Sequence, residues 1–352
     1  MSRYWNPQLL ALSPYVPGEQ PRSRDLIKLN TNELPRGPSP KVLEALRQAS
    51  DDRLRLYPDP ESTRLRETWA GQLGLKPEQV FLGNGSDEVL AHTFKALFKP
   101  DQPLLFPDIT YSFYPVYSQF FDLDFECVPL APDFSLSLAE YRRGNGGIIF
   151  PNPNAPTGLF TPLQQIEELL QSNTERVVVV DEAYIDFGGE SASGLIDHYP
   201  NLLVIQTLSK SRALAGLRVG AAFGQAQLIE GLQRVKNSFN SYPLGRLAEV
   251  GAVAALEDVD WFEAMTGELV QTRDSLSASL QQLGFEVLPS AANFVFTRHS
   301  TCSAVTLYEE LRQRDILVRH FKQARIDEFL RISVGTPEQC AALLTALEDI
   351  LA

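Results

Sequence analysis

The chain has 352 residues, of which 44% are apolar, and its formal net charge is −13. This composition indicates a globular protein large enough for two lobes, and the negative charge disfavours nucleic acid and anionic membranes as partners. The three cysteines show no CxxC spacing and the four histidines are scattered, which argues against a disulfide framework and predicts no metal site. No apolar run reaches membrane-spanning length and the start shows no signal-peptide pattern, so the sequence predicts a cytoplasmic protein.

A proline-rich arm opens the chain. Five prolines within the first 36 residues break any helix there. A short apolar strand is expected over Leu26–Asn30, leading to Asn32. This strand and Tyr15 favour an ordered arm that lies across the body of the protein over a flexible tail.

Strands and helices alternate through the middle of the chain. Between residues 79 and 224 this alternation predicts an α/β fold with a mostly parallel central sheet flanked by helices. A smaller α/β lobe is expected from both termini, with an arm and part of the small domain at 1–40, a large domain at 41–262 and a small C-terminal domain at 263–352. Strands are expected near 79–82, 104–106, 125–130, 147–150, 177–180, 202–205, 218–224 (a candidate for antiparallel pairing), 285–288, 293–297, 316–319 and 329–334, and helices near 40–50, 63–73, 88–98, 136–142, 161–171, 225–236, 243–257, 260–282, 302–314 and 336–351.

A glycine-containing loop joins the first strand of this sheet to its helix. Glycines at such a junction allow close backbone approach, and free amides at a helix N-terminus can bind phosphate. Gly85, Ser86 and Asp87 are the candidate donors. Taken alone, the loop is more often an ordinary turn, because glycine turns precede helices in many folds.

Two strand ends carry opposite charges. Lys210 follows the apolar strand that begins at Leu202, and Asp181 follows four consecutive valines. Open α/β sheets keep their chemistry at such carboxyl ends, where a desolvated lysine can form a Schiff base and a buried carboxylate requires a cationic partner. A lysine that holds an aldehyde and an acid that keeps a pyridine nitrogen protonated together fit pyridoxal phosphate. Either residue alone is more often a solvated loop residue.

With these residues in place, the chain resembles the fold-type I pyridoxal-phosphate aminotransferases, and within them the histidinol-phosphate aminotransferase family. The resemblance implies the fold-type I architecture and pyridoxal 5'-phosphate as cofactor. It extends over nearly the whole chain, with the similar blocks in the family's order. These blocks are Pro14–Gly18, Asn154–Gly158, Thr207–Lys210, Ala215–Gly220 and Leu330–Thr336.

The resemblance implies a role for each residue around the cofactor. Lys210 holds the cofactor and, once released, moves a proton between substrate and cofactor carbons. Asp181 keeps the ring nitrogen protonated, Tyr184 is directed at the ring hydroxyl, and Tyr111 stacks on the pyridine face. The cofactor phosphate is assigned to Gly85, Ser86, Asp87, Thr207, Ser209 and Arg218.

Two further assignments concern the ring hydroxyl and the second subunit. In the family's Asn-Pro-Thr-Gly signature the asparagine bonds the ring hydroxyl oxygen, whereas here Ala155 precedes Pro156. We expect Asn154 to supply the amide through a shifted turn. Tyr57, in a Tyr-Pro turn, falls where a tyrosine hydroxyl reaches the cofactor phosphate of the other subunit, which implies a homodimer with shared active sites.

Two arginines, Arg319 and Arg331, lie on neighbouring predicted strands of the small lobe. Their planar guanidinium groups suit both carboxylate and phosphate, and surface ion pairing is the alternative. The resemblance assigns both arginines, together with Tyr15 and Asn32 of the arm, to substrate binding.

The reaction that the resemblance implies is transamination of histidinol phosphate, with glutamate and 2-oxoglutarate as the second pair, in histidine biosynthesis. An aromatic amino acid aminotransferase and a threonine-phosphate decarboxylase remain alternatives on the same scaffold. A cofactor-binding regulator without turnover is disfavoured, since Lys210 and Asp181 are both present and no basic helix-turn-helix segment is appended.

Overall fold

The computed structural model describes residues 3–6, 9–10, 12–15, 18–19 and 26–352. Val16 and Pro17 of the Pro14–Gly18 block, and residues 20–25 of the predicted arm, lie outside the described residues. The helices are α1 (Pro40–Ala49), α2 (Thr63–Leu73), α3 (Gly85–Leu97), α4 (Tyr114–Phe120), α5 (Leu163–Ser172), α6 (Ala226–Phe239), α7 (Arg246–Glu257), α8 (Val259–Gln282), α9 (Ala304–Gln313) and α10 (Pro337–Leu351). The strands are β1 (Ile27–Lys28), β2 (Val80–Asn84), β3 (Leu104–Pro107), β4 (Phe125–Val128), β5 (Gly147–Pro151), β6 (Val178–Asp181), β7 (Leu202–Thr207), β8 (Val219–Gly224), β9 (Phe285–Val287), β10 (Phe294–His299), β11 (Ile316–Leu317), β12 (Arg319–His320) and β13 (Leu330–Ser333).

A seven-stranded sheet forms the centre of the larger lobe, in the order β2-β8-β7-β6-β5-β3-β4. Its neighbouring strands are parallel except at β8, which is antiparallel to both β2 and β7. The short connection at 208–218 cannot hold the crossover helix that a parallel neighbour needs, so β8 returns beside β7 in the opposite direction. The expected α/β fold and the antiparallel placement of 218–224 are both confirmed.

Helices cover both faces of this sheet. In β6, Val178 and Val180 pack in the cluster that contains side chains of α1, α2, α5 and α7, whereas Val179 packs with α3, α4 and α6. All three valines are fully buried. Burial on both faces explains why the central strands are continuous apolar runs instead of alternating ones, and it leaves the polar side chains to the strand ends.

An antiparallel sheet of four strands, β12-β13-β10-β9, forms the smaller lobe and packs against α8, α9 and α10. The arm strand β1 pairs in parallel with β11, and Leu29 is buried in the same core. The arm is therefore anchored to the lobe that the C-terminal residues build. Arg319 and Arg331 are direct partners across β12 and β13, which confirms that their strands are neighbours.

Three predicted elements differ from the structure. The strand expected at 316–319 is two short strands, because β11 pairs with the arm while β12 pairs with β13. The helix expected at 136–142 is a 3-10 turn at Leu138–Tyr141, and the arm strand has two residues. Within the described ranges, no helix is long and apolar enough to cross a membrane and no cluster of His, Cys, Asp and Glu could hold a metal ion.

Candidate active site

The carboxyl ends of β5, β6 and β7 lie side by side, since the register pairs Pro151 with Asp181 and Asp181 with Ile205. Two cavities open at this edge: the strand-edge cavity of about 130 Å³ and the arginine cavity of about 230 Å³. Their shared lining residues are Tyr111, Ala155, Tyr184 and Lys210. Of the predicted cofactor contacts, the strand-edge cavity brings together Ser86, Asp87, Tyr111, Asp181, Tyr184, Thr207, Ser209, Lys210 and Arg218.

Lys210 lies where the two cavities meet. It follows β7, and its Nζ donates to the carbonyl oxygen of Thr31 at 3.2 Å. The same Nζ lies 5.6 Å from the centre of the Tyr184 ring. The amine is therefore within reach of both cavities, and its reaction with a carbonyl compound stays a prediction.

Asp181 ends β6 with a carboxylate that is 4% exposed. Its Oδ2 accepts a hydrogen bond from the Tyr114 hydroxyl at 2.9 Å, and its Oδ1 accepts from the Ala183 amide at 3.3 Å. Burial raises the pKa of Asp181 to about 6, against the lowering effect of these two donors. A buried carboxylate of this kind favours a cationic partner in the cavity.

Arg218 closes the opposite side of the strand-edge cavity. Its backbone is left-handed, with φ of 53°, and its Nη2 donates to Asp87 Oδ2 at 2.8 Å. The other carboxylate oxygen of Asp87 accepts from the Tyr111 hydroxyl at 2.9 Å. One carboxylate thus orients both a guanidinium group and an aromatic ring. Within the described part of the chain, the Arg218 guanidinium has no other hydrogen-bond partner, so its remaining N–H groups can donate to a ligand.

Two glycines make room at the start of α3. Gly85, the first residue of that helix, has φ of 77°, and a Cβ on it would collide with the Arg218 guanidinium. A Cβ on Gly220 would collide with the amide nitrogen of Ser86. The helix N-terminus, with its amides and dipole, therefore approaches Arg218 as closely as it does because neither position carries a side chain.

Two hydroxyl groups complete this side of the cavity. Thr207 Oγ1 is 2.9 Å from Ser209 Oγ, and it also accepts from the Ser209 amide at 3.2 Å. Thr207 is the last residue of β7, and Ser209 lies between the end of this strand and Lys210. Hydroxyls, helix amides and a guanidinium around one small volume are the donors that a phosphate requires.

Asn154 lies in the turn after β5. Its Nδ2 donates to the Ile109 carbonyl oxygen at 3.2 Å and to Thr157 Oγ1 at 2.9 Å. The turn is fixed by backbone bonds from the Asn154 amide to the Leu159 carbonyl oxygen and from the Gly158 amide to the Asn154 carbonyl oxygen. Ala155 lines both cavities, and Asn154 is not among the lining residues of either. That Asn154 offers its amide to a ring hydroxyl stays a prediction.

Tyr184 and Asn32 connect the strand edge with the arm. Asn32, with φ of 57°, donates through Nδ2 to the Tyr184 hydroxyl at 3.0 Å. Its backbone amide donates to Ser333 Oγ, and its Oδ1 accepts from the same hydroxyl group, each at 2.9 Å. Both Asn32 and Tyr184 line the arginine cavity, so the arm, the large sheet and β13 meet at one polar contact.

The arginine cavity is lined by Arg319 and Arg331. Arg331 Nη2 donates to the Asn30 carbonyl oxygen at 3.0 Å, and its buried Nε has no hydrogen-bond partner within the described part of the chain. Burial and the neighbouring Arg319 lower the pKa of Arg331. Neither arginine forms a salt bridge with a described carboxylate, so the surface ion pairing weighed as an alternative is not observed. Two unpaired guanidinium groups favour an anionic ligand.

Of the two tyrosines predicted to contact substrate or cofactor, Tyr15 lines a cavity of its own chain and Tyr57 does not. Tyr15 lines the arginine cavity and packs on Phe113, with ring centres 4.7 Å apart. Tyr57 is 79% exposed and stacks on Tyr242 at 4.8 Å, and it lines neither cavity of its own chain. Its exposure is compatible with a contact to a second subunit.

Several site residues escaped the sequence analysis. Tyr114, which donates a hydrogen bond to Asp181, has the apolar surroundings of an ordinary core aromatic. Its spacing of three residues from Tyr111 was the available sign in the sequence that it lies near the site. Thr31, the carbonyl partner of Lys210, and Phe321, which lies beneath Arg331 at 5.6 Å, depend on contacts between distant parts of the chain. Such contacts leave no local pattern in a sequence.

The family model for class I and II aminotransferases matches residues 24–347. This match covers both lobes and every described residue of the strand-edge cavity. The fold and the site therefore define an enzyme of the aminotransferase class.

Comparison with individual proteins narrows this class. The chain is 59% identical to the histidinol-phosphate aminotransferase of Pseudomonas syringae pv. syringae, over 99% of this chain and 100% of the relative. It is 60% identical to that of Pseudomonas putida strain KT2440, over 99% and 100%. The crystal structure of histidinol-phosphate aminotransferase from Sinorhizobium meliloti in complex with pyridoxal-5'-phosphate has a TM-score of 0.89 and 25% identity, over 100% of this chain and 98% of that one. The chain belongs to the histidinol-phosphate aminotransferase family within the class I and II aminotransferases.

Proposed function

We propose that this protein transfers an amino group between histidinol phosphate and the glutamate/2-oxoglutarate pair, with pyridoxal 5'-phosphate as cofactor, in histidine biosynthesis. The single observation that carries the proposal is the position of Lys210 at the junction of the strand-edge and arginine cavities. The amine faces a volume suited to a phosphate-bearing ring on one side and a volume suited to an anionic substrate on the other. The high identity with named relatives over the full chain supports the same reaction.

The residues of the strand-edge cavity fit pyridoxal phosphate. Arg218, the hydroxyls of Thr207 and Ser209, and the amides at the start of α3 would hold the phosphate, in the space that Gly85 and Gly220 leave open. Tyr111 would lie against the ring, and the buried Asp181 carboxylate would face its nitrogen. When bound, the cofactor supplies an aldehyde carbon for a covalent link to Lys210 and a ring that accepts electrons from the substrate carbon.

Three side chains then carry the chemistry. Lys210, once its amine is free, would act as the base that moves a proton between the substrate carbon and the cofactor carbon. The carbonyl oxygen of Thr31, 3.2 Å from Nζ, keeps that amine close to both cavities. The negative charge of Asp181 would keep the ring nitrogen protonated, and the Tyr184 hydroxyl, which accepts a hydrogen bond from Asn32 of the arm, would be directed at the ring hydroxyl.

The arginine cavity would bind the anionic end of each substrate in turn. Arg319 and Arg331 offer bidentate contacts to the phosphate of histidinol phosphate and to a carboxylate of glutamate. Tyr15 and Asn32 line the same volume. The free donor at Arg331 Nε supports this assignment, because a buried N–H without a partner is unfavourable until a ligand fills the site.

We further propose that the protein is a cytoplasmic homodimer with shared active sites. In this arrangement the partner subunit's Tyr57 reaches the cofactor phosphate. The exposure of Tyr57 in its own chain supports this proposal, since a large aromatic side chain at 79% exposure is more stable when a second surface covers it.

The test is a substrate panel with purified protein. The proposal predicts that kcat/KM for histidinol phosphate exceeds the values for phenylalanine, tyrosine and unphosphorylated histidinol, and that glutamate alone converts the bound cofactor to its amine form, seen as a change in absorbance. A clear preference for the aromatic amino acids would replace this function with an aromatic aminotransferase. Release of carbon dioxide from threonine phosphate would replace it with a decarboxylase.

A further inference from the structure

Among the described residues, the hydroxyl of Tyr114 has one acceptor within hydrogen-bond distance, the carboxylate of Asp181 at 2.9 Å. Tyr114 is fully buried and Asp181 is 4% exposed. Both groups are therefore largely shielded from bulk water. A hydrogen bond to a charged, buried acceptor is among the stronger ones in a protein.

The packing of the Tyr114 ring fixes where this hydroxyl lies. Phe106 and Phe94 pack against it with ring centres 5.9 and 6.2 Å away, and Tyr111 meets it edge-on at 5.7 Å and 87°. Its backbone amide donates to the Tyr111 carbonyl oxygen at 3.2 Å. The turn that positions Tyr111 along one wall of the strand-edge cavity therefore also aims Tyr114 at Asp181.

Asp181 is held at both oxygens, each by a donor of a different kind. The Ala183 amide approaches Oδ1 at 3.3 Å, which is longer than the Tyr114 contact to Oδ2. The backbone carbonyl of Asp181 accepts from Asn152 at 2.8 Å, which fixes the strand end. Tyr114 is thus the closer of the two groups that determine the orientation of this carboxylate.

We infer that Tyr114 is a positioning residue for the reaction: its hydroxyl holds Asp181 ionised and turned toward the ring nitrogen of the cofactor. This inference rests on the proposed function, since it requires pyridoxal phosphate in the strand-edge cavity. Tyr114 does not line that cavity, so it acts through Asp181.

The electrostatic surroundings agree with this role. Burial raises the pKa of Asp181 and the Tyr114 hydrogen bond lowers it, while the neighbouring Asp87 carboxylate raises it. Burial and the Asp181 charge raise the pKa of Tyr114, so its hydroxyl keeps the proton that it donates. The other ionisable groups that face the same cavity are Tyr111, Tyr184, Lys210 and Arg218.

The experiment measures the dissociation constant of pyridoxal phosphate for the full-length protein in a double-mutant cycle of Tyr114→Phe and Asp181→Asn. Tyr114→Phe keeps the ring and removes the hydroxyl. We expect it to weaken binding roughly tenfold or more, and to move the acid side of the kcat/KM profile to higher pH, because Asp181 then protonates more easily. In the Asp181→Asn background the same substitution is expected to change the dissociation constant less than about twofold, since the charge that Tyr114 supports is gone.

Tyr141→Phe is the matched control. Tyr141 is also fully buried, and its hydroxyl has no partner within the described residues, so removing it tests the loss of a buried oxygen alone. Wild-type affinity is expected for this control, and circular dichroism verifies that all variants are folded.

The outcomes separate the two proposals. Wild-type affinity in Tyr114→Phe, or an equal loss in both Asp181 backgrounds, would overturn the role of Tyr114 and leave the proposed function intact. A wild-type protein that binds no pyridoxal phosphate would overturn both.

Discussion

The amine of Lys210 rests on a neutral backbone carbonyl instead of a carboxylate. A neutral acceptor holds an amine less strongly than an ion pair does, so the amine is free to react with an aldehyde when one enters the cavity. The ring of Tyr184 lies on one side of it, and the arm lies on the other. A single residue thus has the reach and the freedom that covalent catalysis requires.

Lys210→Ala is expected to abolish transamination while the protein still binds pyridoxal phosphate without a covalent link. Borohydride reduction of the wild-type protein, followed by peptide mapping, is expected to place the label on Lys210. Lys236 is a suitable comparison, because it is buried whereas Lys210 is half-buried, and its amine is bound to the Pro60 carbonyl oxygen at 2.7 Å and to the Glu61 carboxylate at 3.3 Å. A label on Lys236 or on any other lysine would contradict the assignment.

Asp181→Asn preserves the shape of the side chain and removes its charge. Turnover is expected to fall by roughly 10²–10³, as for other groups whose charge is placed for the transition state. The loss is expected mainly in kcat, measured with saturating cofactor. Near-normal turnover in this variant would show that the ring nitrogen does not depend on Asp181.

Asp181→Asn is expected to lower turnover but to raise the stability of the cofactor-free protein at neutral and higher pH. The pKa of Asp181 is raised from 3.8 to about 6 in the folded protein, so the folded state binds more protons than the unfolded state between these values. The free energy of unfolding of the wild type therefore falls by about 3 kcal/mol as pH rises through this window. Cofactor-free Asp181→Asn is expected to resist urea better than the wild type at pH 8 and equally at pH 3.5. A wild-type protein that is as stable as the variant at pH 8 would contradict this prediction.

At the scale of elements, the N-terminus of α3 depends on strand β8 beside it. Gly220 in β8 pairs with Gly83 in β2, and its missing side chain leaves space for the amide of Ser86. The helix end, the strand and Arg218 therefore form one rigid cradle. Its geometry belongs to the sheet and not to a flexible loop.

Gly220→Ala is expected to weaken pyridoxal phosphate binding at least tenfold, because the new Cβ displaces the backbone at Gly85 and Ser86. An overpacked site of this kind costs about 1–3 kcal/mol of stability as well. Gly216→Ala is the control, since nothing lies within 4 Å of a Cβ at that position. The two variants are compared by cofactor titration and thermal unfolding. Equal affinities of the two variants for pyridoxal phosphate would contradict the assignment of this cradle to cofactor binding.

Sequence reasoning succeeded where an element is determined by its own residues. The valines of β6, the apolar run of β7 and the glycine at the start of α3 all have local causes, so the strands and their polar ends were predictable. The bonds of Asn154 to Ile109 and Leu159 were not predictable, because they join its turn to residues that no local pattern identifies. Tyr114 was missed for the same reason: a tyrosine hydroxyl in a core is recognised by its partner, and the partner lies 67 positions away.

At the scale of the whole molecule, the site joins three separate parts of the chain. Lys210 contacts Thr31 of the arm, and Asn32 of the arm contacts Ser333 of the small lobe. Arg331 in turn bonds the Asn30 carbonyl oxygen. Movement of the small lobe would therefore change the arginine cavity, and it would act on the strand-edge cavity through Lys210 and Tyr184, which line both.

The proposed homodimer gives a prediction at this scale. Mixing inactive Lys210→Ala subunits with impaired Tyr57→Phe subunits is expected to restore activity, because a hybrid dimer contains one site with both residues intact. Tyr242→Phe, which removes the hydroxyl of the ring that stacks on Tyr57 and leaves the Tyr57 hydroxyl in place, is the control and is expected to be active without mixing. Sedimentation that shows an active monomer would remove the basis for this prediction.

The arm contacts residues that lie far from it in the sequence, and this has a consequence for the order in which the two cavities form during synthesis. The strand-edge cavity is lined by residues between Ser86 and Arg218, so it can assemble once the first two-thirds of the chain have left the ribosome. The contacts of Asn30 with Arg331 and of Asn32 with Ser333 each span 301 positions, and they must wait for the last strand. A nascent chain can therefore form the strand-edge cavity before the arginine cavity, and the arm strand β1 cannot pair with β11 until that strand has been made.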